Sequence, residues 1–181
     1  MPKTYRFLSA VLTLGFAATA YASTTLPDSC GSDKVKFDIE KTKSDGTLPP
    51  VSEGKSRIVF IDTVLWTGVH IGGGGNTTRF GIDGTWVGAT SGNSYFTIEI
   101  APGEHHLCSA EQGVFSAKKD TVNMTSFTAE AGKTYFFEYK VNMQAAYKAN
   151  LKTASLSAVD GDEGKYRLKS LQISTFTKSS D

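Results

Sequence analysis

His105 and His106 stand side by side just ahead of Cys108, with His70 far upstream. Imidazole and thiolate are zinc donors, and zinc needs three or four of them converging on one point. On a strand, neighbouring side chains point to opposite faces, so His105 and His106 cannot easily share one ion. A hydrolytic metal site would have to join one of them to a distant carboxylate. Both are kept as weak site candidates. The plainer expectation is one histidine buried and hydrogen-bonded, the other exposed.

The run HIGGGGNTTRF (70–80) invites comparison with a phosphate-binding loop. Such a loop needs Gly-x4-Gly-Lys-Ser/Thr between a strand and a helix, because the lysine neutralises phosphate and the hydroxyl holds magnesium. Here Gly72–Gly75 lead into Asn76, Thr77 and Thr78, with no lysine near and a β-prone segment following. The run is read as a connection between strands. DGDEG (160–164) resembles the start of a calcium loop, but its twelfth position is Leu171 where a glutamate is required. It is read as a solvated turn opening a helix, with Asp160 or Asp162 as N-cap. No Gly-x-Ser-x-Gly elbow is present. The carboxylates Asp83, Glu99, Glu104 and Glu111 have no spacing that sets two at a working separation. Trp66 and Trp86 are weak candidates for a sugar-stacking platform, if exposed. The aromatics from Tyr95 to Tyr139 are assigned mainly to the core.

The elements that would carry these residues are strands. Val35, Phe37 and Ile39 alternate with polar neighbours, the period-two pattern of a half-buried strand. SRIVFIDTVLW is β-prone and mostly apolar, and reads as an inner strand. Between them, TKSDGTLPPVSEGKS has turn and linker chemistry. Asp83-Gly84 signals a hairpin. Gly88 is assigned to a turn, Pro102-Gly103 to another, and Gly132 to a third between two strands. The last residues, 177–181, read as a polar, frayed tail.

The N-terminus is separate. Lys3 and Arg6 precede an apolar run from Phe7 to Ala18, and Ala20-Tyr21-Ala22 supplies an A-x-A cleavage site. The run is short for a membrane span. Cleavage after Ala22 is expected, rather than a retained anchor. Removing two of 19 basic residues leaves 17 against 18 acidic ones, a formal charge of −1. The near-neutral charge of the whole chain, +1, argues against a nucleic-acid binder, whose footprint is a basic patch or stripe. The mature chain has no second stretch long and apolar enough to cross a membrane. Export leads to oxidising conditions, and two cysteines invite pairing. Cys30 and Cys108 are predicted to form a disulfide. A lipid anchor on Cys30 is disfavoured because LPDS, rather than the apolar run, precedes it.

Three stretches together resemble a known family: RFGIDGTWVGATSGNSYFTIEIAPGEHHLCSA, FTAEAGKTYFFEYKV and DEGKYRLKS. Asp83-Gly84, Val87-Gly88, Pro102-Gly103-Glu104-His105 and Ala131-Gly132-Lys133-Thr134-Tyr135 carry the likeness. The chain is similar to the bacterial exported family DUF2846, a domain of unknown function, from about Cys30 to the C-terminus. The resemblance implies signal peptides or lipoprotein anchors and a β-rich fold. It implies no agreed activity, hence no catalytic residue to carry over, and no cofactor is expected from the sequence.

The expected architecture is one all-β, Ig-like or transthyretin-like antiparallel β-sandwich with a short helix near the C-terminus. Residues 1–22 form the signal peptide, 23–54 an N-terminal arm with one strand and a Pro-containing linker, 55–176 the sandwich and 177–181 the tail. The expected role is an exported, non-catalytic binding or structural module of the envelope or periplasm. Its partner would be an envelope protein or glycan. The alternatives are carbohydrate or cell-wall binding through exposed aromatics, and a metal-dependent hydrolase built on His105 or His106.

Overall fold

SRIVFIDTV forms strand β2 (Ser56–Val64), and apolar side chains on both of its faces call for cover on both sides. The computed structural model describes residues 30–64, 77–112, 122–146 and 149–180. Among these residues β2 lies inside a six-stranded sheet. Its order is β1 (Val35–Thr42), β10 (Gln172–Ser180), β5 (Ser94–Ile100), β2, β8 (Thr134–Ala146) and β9 (Ala149–Val159). A four-stranded sheet faces it, in the order β4 (Thr85–Ser91), β3 (Thr77–Ile82), β6 (Gly103–Gln112) and β7 (Asn123–Ala129). The chain is an all-β sandwich, as expected. Two pairings depart from the antiparallel expectation: β2 runs parallel to β8, and β5 to β10. Parallel neighbours need long crossovers, and the chain supplies the first by passing through the smaller sheet before it returns as β8.

Between the sheets, Ile58, Phe60, Phe96, Phe137 and Tyr139 meet Phe80, Ile82 and Leu107. The rings of Phe60 and Phe80 are 4.6 Å apart, and those of Phe80 and Phe96 are 5.7 Å apart in an edge-to-face arrangement. Aromatic pairs favour such offset and T-shaped contacts. The outer face of the large sheet carries Val59, Ile61, Tyr95 and Phe136, packed with Leu168 and Leu171. Helix α1 (Gly161–Leu168) provides that cover. Its N-cap is Asp160, which accepts from the Asp162 and Glu163 amides at 2.9 and 3.4 Å. Arg167 reaches from the helix to Glu138 on β8.

The helix docks so closely that a Cβ on Gly164 would lie 2.3 Å from the Phe136 ring. Gly164→Ala should gain about 1 kcal/mol of helix propensity. Displacing a buried ring costs about 1–3 kcal/mol, so the net effect is destabilising. A urea midpoint at or above that of the wild type would contradict this close packing.

The outer face of the small sheet carries Trp86, Ala89, Cys108 and Ala110, and the N-terminal arm covers it with Cys30 and Phe37. The Cys30–Cys108 disulfide is present, with Cα atoms 5.0 Å apart. The arm's linker is pinned in turn. Arg57 donates to the carbonyls of Pro49 and Pro50, and to Glu99 at 2.8 Å.

Asp83 and Gly84 have φ of 48° and 81°, the two positive values that the tight β3–β4 hairpin requires. Pro102-Gly103 turns the chain between β5 and β6, and Gly132 turns it between β7 and β8. Gly88 is not a turn residue. It lies within β4, where a Cβ would sit 2.6 Å from the rings of Phe96 and Phe176. Its role is to admit those rings. Nor is the tail a separate unit, because Thr177–Ser180 continue β10 and pair with β1. A backbone ladder needs no apolar side chains, and Phe176 anchors the strand through Phe37 and Phe96.

Candidate functional site

Side chains with chemical potential gather at both ends of the sandwich. At one end β2 carries Asp62 inward, two residues past Phe60 and on the same face. Asp62 is 2% exposed. Its Oδ2 accepts from the Thr90 hydroxyl at 2.9 Å and the Gly92 amide at 3.2 Å, with a further hydrogen bond from Thr78. Glu111 of β6 is also buried, and it accepts from the Tyr139 hydroxyl at 3.4 Å. Burial, outweighing the three hydrogen bonds and reinforced by the charge of Glu111, pushes the Asp62 pKa up to about 6. Burial and the two nearby carboxylates push Tyr139 upward as well. Ser109, two residues before Glu111 on the same face of β6, has a buried hydroxyl with no hydrogen-bond partner among the described residues.

Segments 65–76 and 113–121 are attached at this end. Thr77, where β3 begins, pairs with Gln112, where β6 ends. Asp62, near the end of β2, bonds Thr90, which pairs with Thr78.

The opposite end holds the hairpin acid and both candidate histidines. Asp83 Oδ2 lies 2.6 Å from His105 Nδ1, and Asp83 Oδ1 accepts from the His106 amide at 2.8 Å. His105 Nε2 lies 2.8 Å from the Ala101 carbonyl oxygen. The His105 side chain is 13% exposed and that of His106 61%, so the adjacent pair divides into one inward and one outward ring. Partial burial opposes the charged form of His105. Its bonds to Asp83 and Ala101 and the Asp83 charge prevail, holding its pKa above the ordinary value. Burial likewise opposes the Asp83 carboxylate, and the His106 amide and the two imidazoles prevail in holding its pKa down.

This geometry bears on two candidate roles. His105 offers no nitrogen to a metal without breaking one of its two bonds. Among the described residues no three of His, Cys, Asp and Glu are placed to hold an ion. Trp86 is 2% exposed, lies 4.6 Å beneath the Arg79 guanidinium and donates to the Ser32 carbonyl at 2.7 Å, so it cannot stack on a sugar. Cation–π contact and burial under the arm account for its place. Trp66, His70 and Gly72–Gly75 lie outside the described residues. Of the candidate carboxylates, Glu99 is taken by Arg57 and Asp83 by His105. Glu111 neighbours an acid that the sequence reading did not single out, Asp62. The signal for it was an aspartate directly after the apolar run Ile58–Ile61 of an inner strand.

A two-sheet sandwich with a disulfide-tied arm and polar groups at each end defines the class of protein. Residues 52–151 match the family model described as "Protein of unknown function (DUF2846)", and the chain belongs to that family. The match takes in both polar ends but leaves β1, α1 and β10 outside it. No curated protein and no solved structure matches the chain.

Proposed function

We propose that the mature chain is an exported, non-catalytic module that binds an envelope protein or glycan. The binding end is the one where segments 65–76 and 113–121 are attached. The rigid strand ends there, with the polar groups they carry, support the reading, because β-sandwich modules recognise partners at one end of a rigid scaffold. Asp62, Thr78, Thr90, Glu111 and Tyr139 place polar groups beneath that end. Export is supported by the charged, apolar and A-x-A sequence of residues 1–22 and by the Cys30–Cys108 disulfide, which suits an oxidising compartment.

The test uses the full chain expressed from its own start codon in a Gram-negative host. Osmotic shock should release a protein whose mass begins at Ser23 and which has no free thiol. Immobilised on beads, it should retain a partner from envelope extracts. Replacing Gly72–Gly75 by alanines should lose that partner without lowering the urea midpoint. Retention of an uncleaved chain in the cytoplasm would overturn the export reading. Equal capture by both proteins would overturn the assignment of the binding end.

A further inference from the structure

His105 is enclosed by two hydrogen-bond acceptors that have no proton to give. One is the Asp83 carboxylate at 2.6 Å from Nδ1, the other the Ala101 carbonyl at 2.8 Å from Nε2. A neutral imidazole carries one N–H and one lone pair. With the proton on Nδ1, the Nε2 lone pair would face the Ala101 oxygen at hydrogen-bonding distance, where two acceptors repel. With the proton on Nε2, the lone pair would face a carboxylate, which is worse. The doubly protonated ring alone satisfies both contacts.

The contacts span separate parts of the fold. Asp83 sits in the β3–β4 hairpin of the small sheet. Ala101 follows β5 of the large sheet, where the chain crosses to β6. The Asp83 amide also donates to the His106 carbonyl at 2.9 Å, so hairpin and β6 are tied by backbone as well. From β7 the ring meets Phe127, with centroids 6.0 Å apart. The charged group facing it from the hairpin is Asp83, and the β5–β6 connection contributes the neutral carbonyl. Glu104 and His106, its neighbours on β6, alternate to the other side of the strand, with the His106 ring 4.0 Å from Asp83.

We propose that His105 is the ionisable pin of a pH-dependent clamp, closed when the ring is an imidazolium, that holds the β3–β4 hairpin of one sheet against the β5–β6 crossover from the other. Loss of the ring proton turns one of the two contacts from attraction into repulsion and opens that side of the clamp. The folded protein binds this proton more tightly than the unfolded chain, because the His105 pKa is raised. The clamp's contribution to stability is therefore complete well below pH 6.5 and is lost as pH rises through the higher folded value.

The test is a nitrogen-detected NMR titration of the histidine rings in the full mature chain, beside urea midpoints from pH 6 to 9. At pH 6 both His105 nitrogens should carry protons, and the ring should titrate above 6.5. Asp83→Asn keeps a residue that tolerates positive φ but removes the charge, and should lower that titration. The wild-type midpoint should fall across the range, and His105→Gln should lose that part of the fall. A singly protonated His105 at pH 6, or a titration unmoved by Asp83→Asn, would overturn the clamp. So would an unchanged slope in His105→Gln. Should His105→Gln not fold, the Asp83→Asn titration decides alone.

Discussion

Replacing Cys108 by serine should lower the unfolding free energy by about 2–5 kcal/mol, the usual cost of removing a native disulfide from a small domain. The bridge closes a sequence separation of 78 residues, and in the chain-entropy model a loop of that size stands near the top of the range. Part of the loss should appear in the folded state. Cys30 and Cys108 are wholly buried, and the carbonyl of Cys30 lies so close to Gly81 that a Cβ there would approach it to 2.7 Å. Three hydrogen bonds hold the next residues of the arm: Trp86 to the Ser32 carbonyl, and Arg79 to the carbonyls of Asp33 and Val35. Without the bridge these contacts and the β1–β10 pairing must restrain the arm. Urea denaturation of wild type and Cys108→Ser, with and without reductant, measures the effect. Reductant should shift the wild type to the midpoint of the variant and leave the variant unmoved. A wild type indifferent to reductant after thiol release is confirmed would show that the arm needs no bridge.

The fold was legible where a residue's role depends on its near neighbours in sequence. The apolar run of β2, the positive-φ hairpin at Asp83-Gly84 and the cap at Asp160 each follow from local chemistry, and each stands in the structure. Gly88 misled because a glycine in a strand can serve a turn or admit a side chain from elsewhere. The rings it admits, Phe96 and Phe176, lie 8 and 88 positions along the chain. The polar tail misled because β10 is held by its backbone pairing with β1, which leaves no mark on side-chain hydropathy. The two polar ends were the least legible. His105 meets an acid 22 positions away, and Asp62 meets Thr90 across 28. The first pair meets through the antiparallel β3–β6 pairing of the small sheet, the second across the gap between the two sheets.

Asp62 should make the protein more stable in mild acid than its other carboxylates would allow. Its folded pKa of about 6 stands above the ordinary 3.8. The folded state therefore binds this proton more tightly than the unfolded chain. The contribution is complete below about pH 4 and is lost as pH rises through about 6. Two units at 1.36 kcal/mol each set its size at about 2–3 kcal/mol, with no discount for solvent screening because the side chain is buried. Asp83, Asp160 and Glu99 act in the opposite sense, since their pKa values are lowered and their contributions fade as pH falls. The overall pH profile mixes both signs, and the useful quantity is wild type minus Asp62→Asn at each pH. Asparagine keeps the shape and an oxygen to accept from Thr90 and Gly92 but cannot ionise. That difference should fall by about 2–3 kcal/mol between pH 4 and pH 7, with Asp62→Asn gaining ground toward neutrality. A difference that stays constant over this range would mean that the folded pKa of Asp62 is not raised, its hydrogen bonds offsetting the cost of burial.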